Sequence, residues 1–212
     1  MKVESNMAGT PSGQTSELDH EILNRARDGD HKAFTALVRH YEQMVYGFSF
    51  KVCRDRAYAE DTLQDTFVNV YRKLKQFDGK SKFSTWLYSI VANNCLMKQR
   101  RQKLEKASIS IDEPVMPHDH DVDSTDSPQP ALRAWQNTPL DETMRKELRT
   151  RLDQAIRKLP LDYRLVFILR DLEGQSAAET AKVMKLSIPA VKSRLRRARV
   201  FLQGQLNEYM SS

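Results

Sequence analysis

The chain has 212 residues, of which 40% are hydrophobic and 29% charged, and it carries a formal net charge of +6. This length suits one large or two small globular domains, and we expect two. The sequence has no run of about eighteen apolar residues, which excludes a membrane-spanning helix, and residues 1–16 lack the apolar core of a secretory signal. We therefore expect a cytoplasmic protein without membrane insertion, and a disordered N-terminal extension over residues 1–16.

Charge is unevenly distributed along the chain. Every charged residue from Lys182 to Arg199 is basic, whereas Asp and Glu dominate from Glu105 to Glu142. A positive net charge indicates an anionic partner without saying which kind, so the local clustering carries more information than the total. The basic segment near the C-terminus needs a functional reason.

The sequence offers no strong metal-binding or catalytic motif. The two cysteines, Cys53 and Cys95, lie in apolar helical patterns without a CxxC pair or a nearby histidine at ligand spacing. We interpret both as small buried hydrophobic residues. His118 and His120, in a flexible acidic stretch, are weak candidates for metal ligands. Since there is also no Gly-rich phosphate loop or nucleophile motif, we expect no metal, no cofactor and no enzymatic activity.

The apolar spacing of residues 17–104 predicts four helices and no strand. The first helix stops at the Asp28-Gly29-Asp30 turn, whose last residue caps the second helix. The third runs from about Arg56 to Gln76, and the fourth follows Ser84 as its cap and ends in a basic segment. The residues expected to face inward on the third helix are Ala59, Leu63, Phe67, Val70, Tyr71 and Leu74. An all-α first domain follows.

Composition changes abruptly over residues 105–137, where Asp, Pro, Ser and His replace periodic apolar residues. Such a segment cannot build a core, and we interpret it as a flexible acidic linker. Helical periodicity resumes in residues 138–212. Thr138 and Pro139 suit the cap and first position of a helix that Pro160 ends, and a short apolar helix then closes at Gly174. The chain is therefore predicted to fold as two small helical domains.

The strongest local signal lies between Ser176 and Leu202. Ser176 and Glu179 form a capping box that opens one helix, and a tight turn ending at Ser187 opens another. Two helices joined in this way predict a helix-turn-helix, which places its second helix in the major groove of DNA. The residues expected to pack that second helix inward are Ile188, Val191, Leu195, Ala198 and Leu202.

The other face of this last helix is basic. The candidate residues for double-stranded DNA are Ser187, Ala190, Lys192, Ser193, Arg194, Arg196, Arg197 and Arg199. Basic side chains neutralise phosphates, and arginine forks match the acceptor edge of guanine. A basic helix is often only a solvated face. Here no acidic residue interrupts the basic face, and a capped turn precedes it, so we favour DNA binding. We expect Lys192, Arg196 and Arg199 to lie along one exposed strip.

Two stretches of the sequence resemble one family. GQSAAETAKVMKLSIPAVKSRLRRARVFL is similar to the promoter-reading module of extracytoplasmic-function sigma factors, and AEDTLQDTFVNVYRKLKQFDGKSKFSTWLYSIVANN is similar to their polymerase-binding and promoter-opening region. With their flanking helices, these stretches cover nearly all of the chain outside the N-terminal tail and the linker. The resemblance implies a factor that binds core RNA polymerase and directs promoter-specific initiation.

The resemblance also gives the third helix a partner. Asp61, Gln64, Asp65 and Val68 recur at three- and four-residue spacing opposite the apolar stripe, and we call them the acidic ridge. By itself such a ridge is most often a solvated helix face. In the family it docks on the clamp helices of the polymerase largest subunit, and the polymerase flap is a second implied contact. Thr62 and Leu63 reverse the family's usual order, which leaves the register of the ridge open by one residue.

A further set of residues combines cations, aromatic rings and amides, as a single-stranded DNA site requires. The candidate residues for the downstream promoter element are Lys80, Ser81, Lys82, Phe83, Trp86, Asn93, Lys98, Arg100 and Arg101. Either aromatic ring could instead belong to the core. The resemblance implies that the loop from Lys80 to Phe83, together with Asn93, holds a flipped base, while the three basic residues at the end of this set contact the DNA backbone.

Other expectations depend on the resemblance alone. The linker carboxylates would lie in the positively charged RNA and template channel of polymerase, although a solvated tether is the simpler interpretation. An anti-sigma protein would hold the factor in check, in solution or at the membrane. Two rival functions are a helix-turn-helix regulator that binds operators as a dimer without polymerase, and an adaptor that binds polymerase but has lost promoter reading.

Overall fold

A computed structural model describes residues 14–105 and 142–210. Every regular element in these two ranges is helical, which confirms the predicted all-α class. The N-terminal half contains α1 (Gln14–Arg27), α2 (His31–Cys53), α3 (Arg56–Lys73), a 3-10 turn (Leu74–Gln76) and α4 (Phe83–Glu105). The C-terminal half contains α5 (Glu142–Lys158), α6 (Leu161–Phe167), a π-helical turn (Ile168–Leu172), α7 (Ala177–Met184) and α8 (Ile188–Met210).

Several predictions concern residues 1–13 and 106–141, which lie outside the described residues. They are most of the disordered extension, the flexible linker, the helix start at Thr138 and Pro139, and the histidines of the acidic stretch. Residues 14–16, which the sequence analysis assigned to the extension, are helical in α1, and Glu105 ends α4 rather than opening the linker. Among the described helices, none has the length and hydropathy that crossing a bilayer requires.

Capping side chains define where α2 and α3 begin. The Asp30 carboxylate accepts hydrogen bonds from the backbone N–H groups of Lys32 (2.8 Å) and Ala33 (3.1 Å), which confirms the predicted cap. Arg25 also donates to Asp30 at 2.7 Å, and this bond is the main cause that lowers the pKa of the Asp30 carboxyl. Asp55 caps α3 in the same way. Each capping residue fixes where its helix begins, and the start of the helix in turn fixes which side chains lie on each of its faces.

The inward face of α3 is more polar than the sequence predicted. Its buried residues are Ala59, Thr62, Thr66 and Val70, followed by Leu74 in the 3-10 turn. Leu63 and Phe67 are only half-buried, and Tyr71 is 56% exposed, so the expectation that Tyr71 faces inward is wrong. Threonine can occupy this face because its hydroxyl bonds to the preceding turn, as Thr62 Oγ1 does by donating to the Tyr58 carbonyl at 2.8 Å.

An aromatic cluster anchors the start of α4. The helix begins at Phe83, one residue before the predicted cap Ser84, because the Trp86 N–H already donates to the Lys82 carbonyl at 3.2 Å. The Phe83 ring centroid lies 5.4 Å from that of Phe77 and 5.5 Å from that of Trp86. Rings at these separations gain edge and offset contacts in addition to burial. The first turn of α4 is therefore part of the core.

The long helix α8 packs against α5, α6 and α7 in the C-terminal half. Its buried stripe is Val191, Leu195, Ala198 and Leu202, as predicted. Ile188, the first residue of the helix, is 44% exposed, so its predicted inward position is wrong: it lies beyond the end of the packed stripe. Pro160 separates α5 from α6, and Gly174 adopts a positive φ of 66° after the π-helical turn, as predicted.

The two halves contact each other where the end of α2 and part of α4 meet the C-terminal half. We call this contact the seam. It joins Lys51 Nζ to Glu173 Oε1 (2.6 Å), Tyr88 Oη to Glu173 Oε2 (2.8 Å), Arg54 Nη1 to Asp153 Oδ1 (2.5 Å) and Arg164 Nη1 to the Val52 carbonyl (2.8 Å). Burial is the main cause that raises the pKa of the Tyr88 hydroxyl, which therefore stays protonated and donates to Glu173.

Candidate functional site

The acidic ridge lies on the solvent face of α3. Its four residues are exposed, and Val68, at 49%, is an apolar side chain that no part of the described structure covers. Thr62 points inward instead and is 2% exposed. Asp61, Gln64, Asp65 and Val68 therefore share one exposed face, as the sequence predicted. Their contact with polymerase stays a prediction.

Lys98 ties the ridge to α4. Its Nζ lies 3.1 Å from Asp61 Oδ2 and 3.6 Å from the centroid of the Tyr58 ring. An ammonium group over an aromatic face is attracted by the negative face of the ring, so two groups of α3 hold this side chain. The resemblance assigns Lys98 to the DNA backbone, and that contact stays a prediction. Arg100 and Arg101, in the following turn of α4, are exposed.

The loop before α4 presents two lysines to solvent. The side chains of Lys80 and Lys82 are 85% and 79% exposed, and Ser81 between them is half-buried. Lys80 donates to Asp78 from its side chain at 2.9 Å and from its backbone N–H at 3.1 Å, which lowers the pKa of the Asp78 carboxyl. Lys82 Nζ lies 3.7 Å from the carboxylate of Glu179 in α7, so this loop reaches the C-terminal half.

The two aromatic candidates of the downstream site have different surroundings. Phe83 is 8% exposed and packs in the aromatic cluster, which favours the core interpretation over the expectation that it holds an unstacked base. Trp86 is half-buried, so part of its ring faces solvent. Asn93 is exposed about two helical turns further along α4. Asn94 turns inward, where its amide donates to Thr66 Oγ1 at 3.1 Å.

The predicted helix-turn-helix is present in α7 and α8. Ser176 Oγ accepts from the Glu179 N–H at 3.1 Å, and the Glu179 carboxylate accepts from the Ser176 N–H at 2.8 Å. The second of these bonds is the main cause that lowers the pKa of the Glu179 carboxyl. Lys185 then adopts the left-handed conformation with a φ of 54°, and Ser187 Oγ accepts from the Ala190 N–H at 3.3 Å. The capping box and the turn are both confirmed.

The basic face of α8 is less exposed than the sequence predicted. Ser187 is exposed, whereas the half-buried candidates are Ala190, Lys192, Ser193, Arg194, Arg196 and Arg197. Arg199 is 5% exposed, and its guanidinium donates to both carboxylate oxygens of Asp171, at 2.8 and 2.6 Å. The expectation that Arg199 lies on an exposed strip is therefore wrong, because this two-pronged ion pair holds it against the π-helical turn. Arg194 lies 3.5 Å from Asp162.

Comparison with known proteins matches both halves to one family. The Sigma-70 region 2 model matches residues 37–105, and the Sigma-70, region 4 model matches residues 149–202. The RNA polymerase sigma-H factor of Pseudomonas aeruginosa is 32% identical over 188 residues, which are 87% of this chain and 92% of that protein. The ECF RNA polymerase sigma-E factor of Escherichia coli K12 is 32% identical over 195 residues, 89% of this chain and 94% of that protein.

The chain belongs to the extracytoplasmic-function sigma factors. It binds RNA polymerase and directs promoter-specific transcription initiation, and the operator-binding regulator is not favoured. The region 2 match contains the acidic ridge and the downstream candidates, and the region 4 match contains the helix-turn-helix. The initiation function that the sequence predicted is thus confirmed, while the role of each residue within it stays a prediction.

Solved sigma factor structures share the fold at lower sequence identity. The sigma factor RpoE in complex with the anti-sigma factor NepR from Bartonella quintana matches with a TM-score of 0.59 and 23% identity over 83% of this chain and 98% of that chain. CnrH in complex with the cytosolic domain of CnrY matches with a TM-score of 0.59 and 24% identity, over 90% and 97% of the two chains. These two likenesses support the helical architecture.

The seam of this sigma factor could not be predicted from the sequence. Lys51 and Glu173 are 122 residues apart, and Arg54 and Asp153 are 99 apart, so no helical spacing links the partners. The only local signal is a polar residue at the end of a helix, as Arg54 is after α2. Such a residue is ordinarily solvated, and the sequence gives no reason to read it otherwise.

Proposed function

We propose that this sigma factor divides its work between two parts. Residues 17–104 bind core polymerase and melt the downstream promoter element, residues 138–212 bind the upstream element, and residues 105–137 join them. The observation that supports this division is that the acidic ridge and the basic face of α8 lie on different halves of the chain. An acidic face suits a basic protein surface, and a basic helix suits DNA. We expect the factor to act in the bacterial cytoplasm, where both partners are.

The acidic ridge is the proposed contact with the clamp helices of the polymerase largest subunit. The exposed carboxylates of Asp61 and Asp65 can accept hydrogen bonds from arginines, and the Gln64 amide can add a neutral pair. Val68 supplies an apolar side chain that a partner could cover. The polymerase flap is the proposed partner of the C-terminal half, an assignment that rests on the family resemblance.

The proposed downstream DNA site is smaller than the one that the sequence predicted. It consists of Lys80, Ser81, Lys82, Trp86, Asn93, Arg100 and Arg101. Exposed cations can neutralise phosphates, the exposed part of an indole can stack on a base, and an exposed amide can bond to a base edge. Phe83 supports this surface from the core, and Lys98 is held by the ridge.

The proposed upstream DNA site is the basic face of α8 in the major groove. We expect Arg194→Ala or Arg197→Ala to lower transcription from promoters that depend on the upstream element by roughly tenfold, since one arginine contact to a base carries about 1–3 kcal/mol of discrimination. Multi-round transcription with purified polymerase measures the effect. A promoter that does not need the upstream element is the matched control, and wild-type output from the dependent promoter would remove these residues from the site.

The contact between the halves at the seam limits how far apart the two promoter elements that they bind can lie. Elements centred about ten and thirty-five base pairs upstream of the start are separated by roughly 85 Å of DNA. The longest described helices have 23 residues and are about 35 Å long. Two such helices laid end to end span about 70 Å, which is less than this separation, and we therefore propose that the seam opens when the factor binds promoter DNA with polymerase.

Replacing Glu173 tests this opening. Glu173 accepts from both Lys51 and Tyr88, so Glu173→Ala removes two seam contacts at once. We expect a larger radius of gyration in small-angle X-ray scattering and unimpaired transcription. Glu60→Ala is the matched control, because Glu60 pairs with Arg56 within α3 and lies outside the seam. A radius of gyration that matches the wild type would show that Glu173 does not hold the halves together.

An anti-sigma protein is the proposed regulator of this factor. One solved structure of the same fold holds a sigma factor in complex with an anti-sigma factor. Placement of the acidic linker in the RNA and template channel likewise stays a proposal, since residues 106–141 lie outside the described ranges.

A two-template transcription experiment tests the division of work. Core polymerase is mixed with the wild type, a ridge variant (Asp61→Ala, Gln64→Ala, Asp65→Ala) or Arg194→Ala, on promoters with and without a strict need for the upstream element. We expect the ridge variant to lose output on both templates and Arg194→Ala to lose output on the dependent template only. The same loss pattern for both variants would contradict separate sites for polymerase and upstream DNA.

A further inference from the structure

The two cysteines of the chain, which the proposed function does not use, lie side by side. Cys53 is the last residue of α2 and Cys95 lies within α4, and their Sγ atoms are 3.6 Å apart. Both are free thiols. The sequence predicts that each is a small buried hydrophobic residue. That holds for Cys95, which is 2% exposed, whereas Cys53 is only half-buried.

The surroundings of Cys53 favour its thiolate. The Cys95 thiol hydrogen-bonds to it, Thr62 Oγ1 lies 4.0 Å from its Sγ, and the positive charges of Lys98 and Arg164 act on it. The bond with Cys95 is the main cause that lowers the pKa of Cys53. The same bond and burial raise the pKa of Cys95. The more accessible sulfur is therefore also the better nucleophile.

We propose that Cys53 and Cys95 form a redox modification site, which hydroperoxides convert into an intrachain disulfide. The Cys53 thiolate attacks the O–O bond of the peroxide, giving Cys53 sulfenic acid, and the departing oxygen takes up a proton and leaves as alcohol or water. The Cys95 sulfur then attacks the Cys53 sulfur, and the displaced hydroxide takes the Cys95 proton and leaves as water. Two thiols are thereby oxidised by two electrons, and one peroxide is reduced by two.

The geometry permits this bond with a small movement. A disulfide has an S–S distance of about 2.05 Å, so the two sulfurs need to approach by roughly 1.5 Å. Cys53 ends its helix, and Arg54 after it adopts the left-handed conformation with a φ of 56°. A thiol in the last residue of a helix has fewer covering turns than one in the middle. Disulfides of cytosolic proteins are mostly transient and redox-sensing, which fits a reversible modification.

The site adjoins the seam. The carbonyl of Val52 accepts from Arg164, and the guanidinium of Arg54 pairs with Asp153, so the residues on both sides of Cys53 hold the C-terminal half. Disulfide formation draws the end of α2 towards α4. This movement displaces Val52 and Arg54, which make the two contacts. Oxidation at Cys53 therefore takes place where the two halves of the sigma factor meet.

The test exposes the reduced full-length chain to hydrogen peroxide, alkylates the remaining thiols under denaturing conditions and measures intact mass. We expect both thiols to disappear at the same rate, with the loss of one hydrogen atom from each cysteine and no oxygen added to either of them. A non-reducing gel should show no crosslinked dimer, and dithiothreitol should restore both thiols. Retention of both thiols, or a disulfide-linked dimer, would overturn the proposal.

Single cysteine variants assign the roles of the two sulfurs. In Cys95→Ser, we expect peroxide to add oxygen to Cys53, because no resolving thiol is present. In Cys53→Ser, the buried Cys95 should react with an alkylating agent at least about tenfold more slowly than Cys53 does in Cys95→Ser. Circular dichroism checks the fold, and Cys95→Ala replaces the serine variant if that does not fold. Equal reaction rates, or oxygen addition to Cys53 in the wild type, would contradict the assigned roles.

Discussion

Arg199→Ala is expected to lower the free energy of unfolding of the C-terminal half by roughly 3–5 kcal/mol, because it leaves the carboxylate of Asp171 without its partner. The side chains of Arg199 and Asp171 are only 6% and 16% exposed, and two hydrogen bonds join them. Urea or thermal unfolding followed by circular dichroism measures the loss. This outcome would make Arg199 a residue of the fold rather than of the DNA site.

Two further variants distinguish the effect of breaking the buried ion pair from the effect of removing a positive charge alone. Arg194→Ala is the matched control, since Arg194 is 30% exposed and 3.5 Å from Asp162, and we expect it to change the free energy of unfolding by about 0–1 kcal/mol. The double variant Asp171→Leu, Arg199→Met removes both charges and should recover much of the stability lost in Arg199→Ala. A stable Arg199→Ala protein that fails to bind promoter DNA would restore the original assignment of this residue to DNA.

Combined replacement of Asp61, Gln64 and Asp65 by alanine is expected to weaken binding to core polymerase by at least about tenfold while leaving the fold intact. The three side chains are exposed, so their removal opens no cavity. Fluorescence anisotropy of the labelled factor, titrated with core polymerase, measures the affinity. Because the contact depends on charge, the wild-type affinity should also fall as salt is raised, and that of the variant should fall less.

The ridge prediction has two controls. Glu42→Ala removes an exposed acid from α2, and we expect no change in affinity. Lys98→Ala is needed because Asp61 also pairs with Lys98, so losing this internal pair could disturb α4. If Lys98→Ala weakened binding as much as the triple replacement, the effect would come from the internal pair and not from docking of the ridge. Unchanged affinity of the triple variant would move the docking surface elsewhere on the chain.

Local patterns were predictable from the sequence where neighbours in the chain decide the structure. The Asp30 cap, the capping box of Ser176 and Glu179, and the buried stripe of α8 all depend on residues within one or two helical turns. The acidic ridge was also correct as an exposed face. In each case the spacing of residues within one helix or one turn carries the information.

The errors arose where a distant partner decides what a side chain does. Arg199 looks like its basic neighbours in the sequence, but Asp171 on the π-helical turn holds it in the core. For Phe83 the sequence left both base contact and the core open, and the structure places its ring in the aromatic cluster. Helical spacing predicts that Tyr71 faces inward, whereas buried threonines occupy that face of α3. Helical periodicity does not distinguish these alternatives, because it gives the position of a residue around its own helix. It does not give the residues of other elements that pack against it.

This chain directs polymerase to promoters, and we expect those promoters to carry two spaced elements. The most direct test is multi-round transcription with the purified factor, sigma-free core polymerase and fragments of the source genome, followed by sequencing of the transcript starts. We predict new starts that share two upstream elements at a fixed spacing and that the triple ridge variant does not produce. Binding of the chain to DNA without polymerase, with no new starts, would contradict this claim.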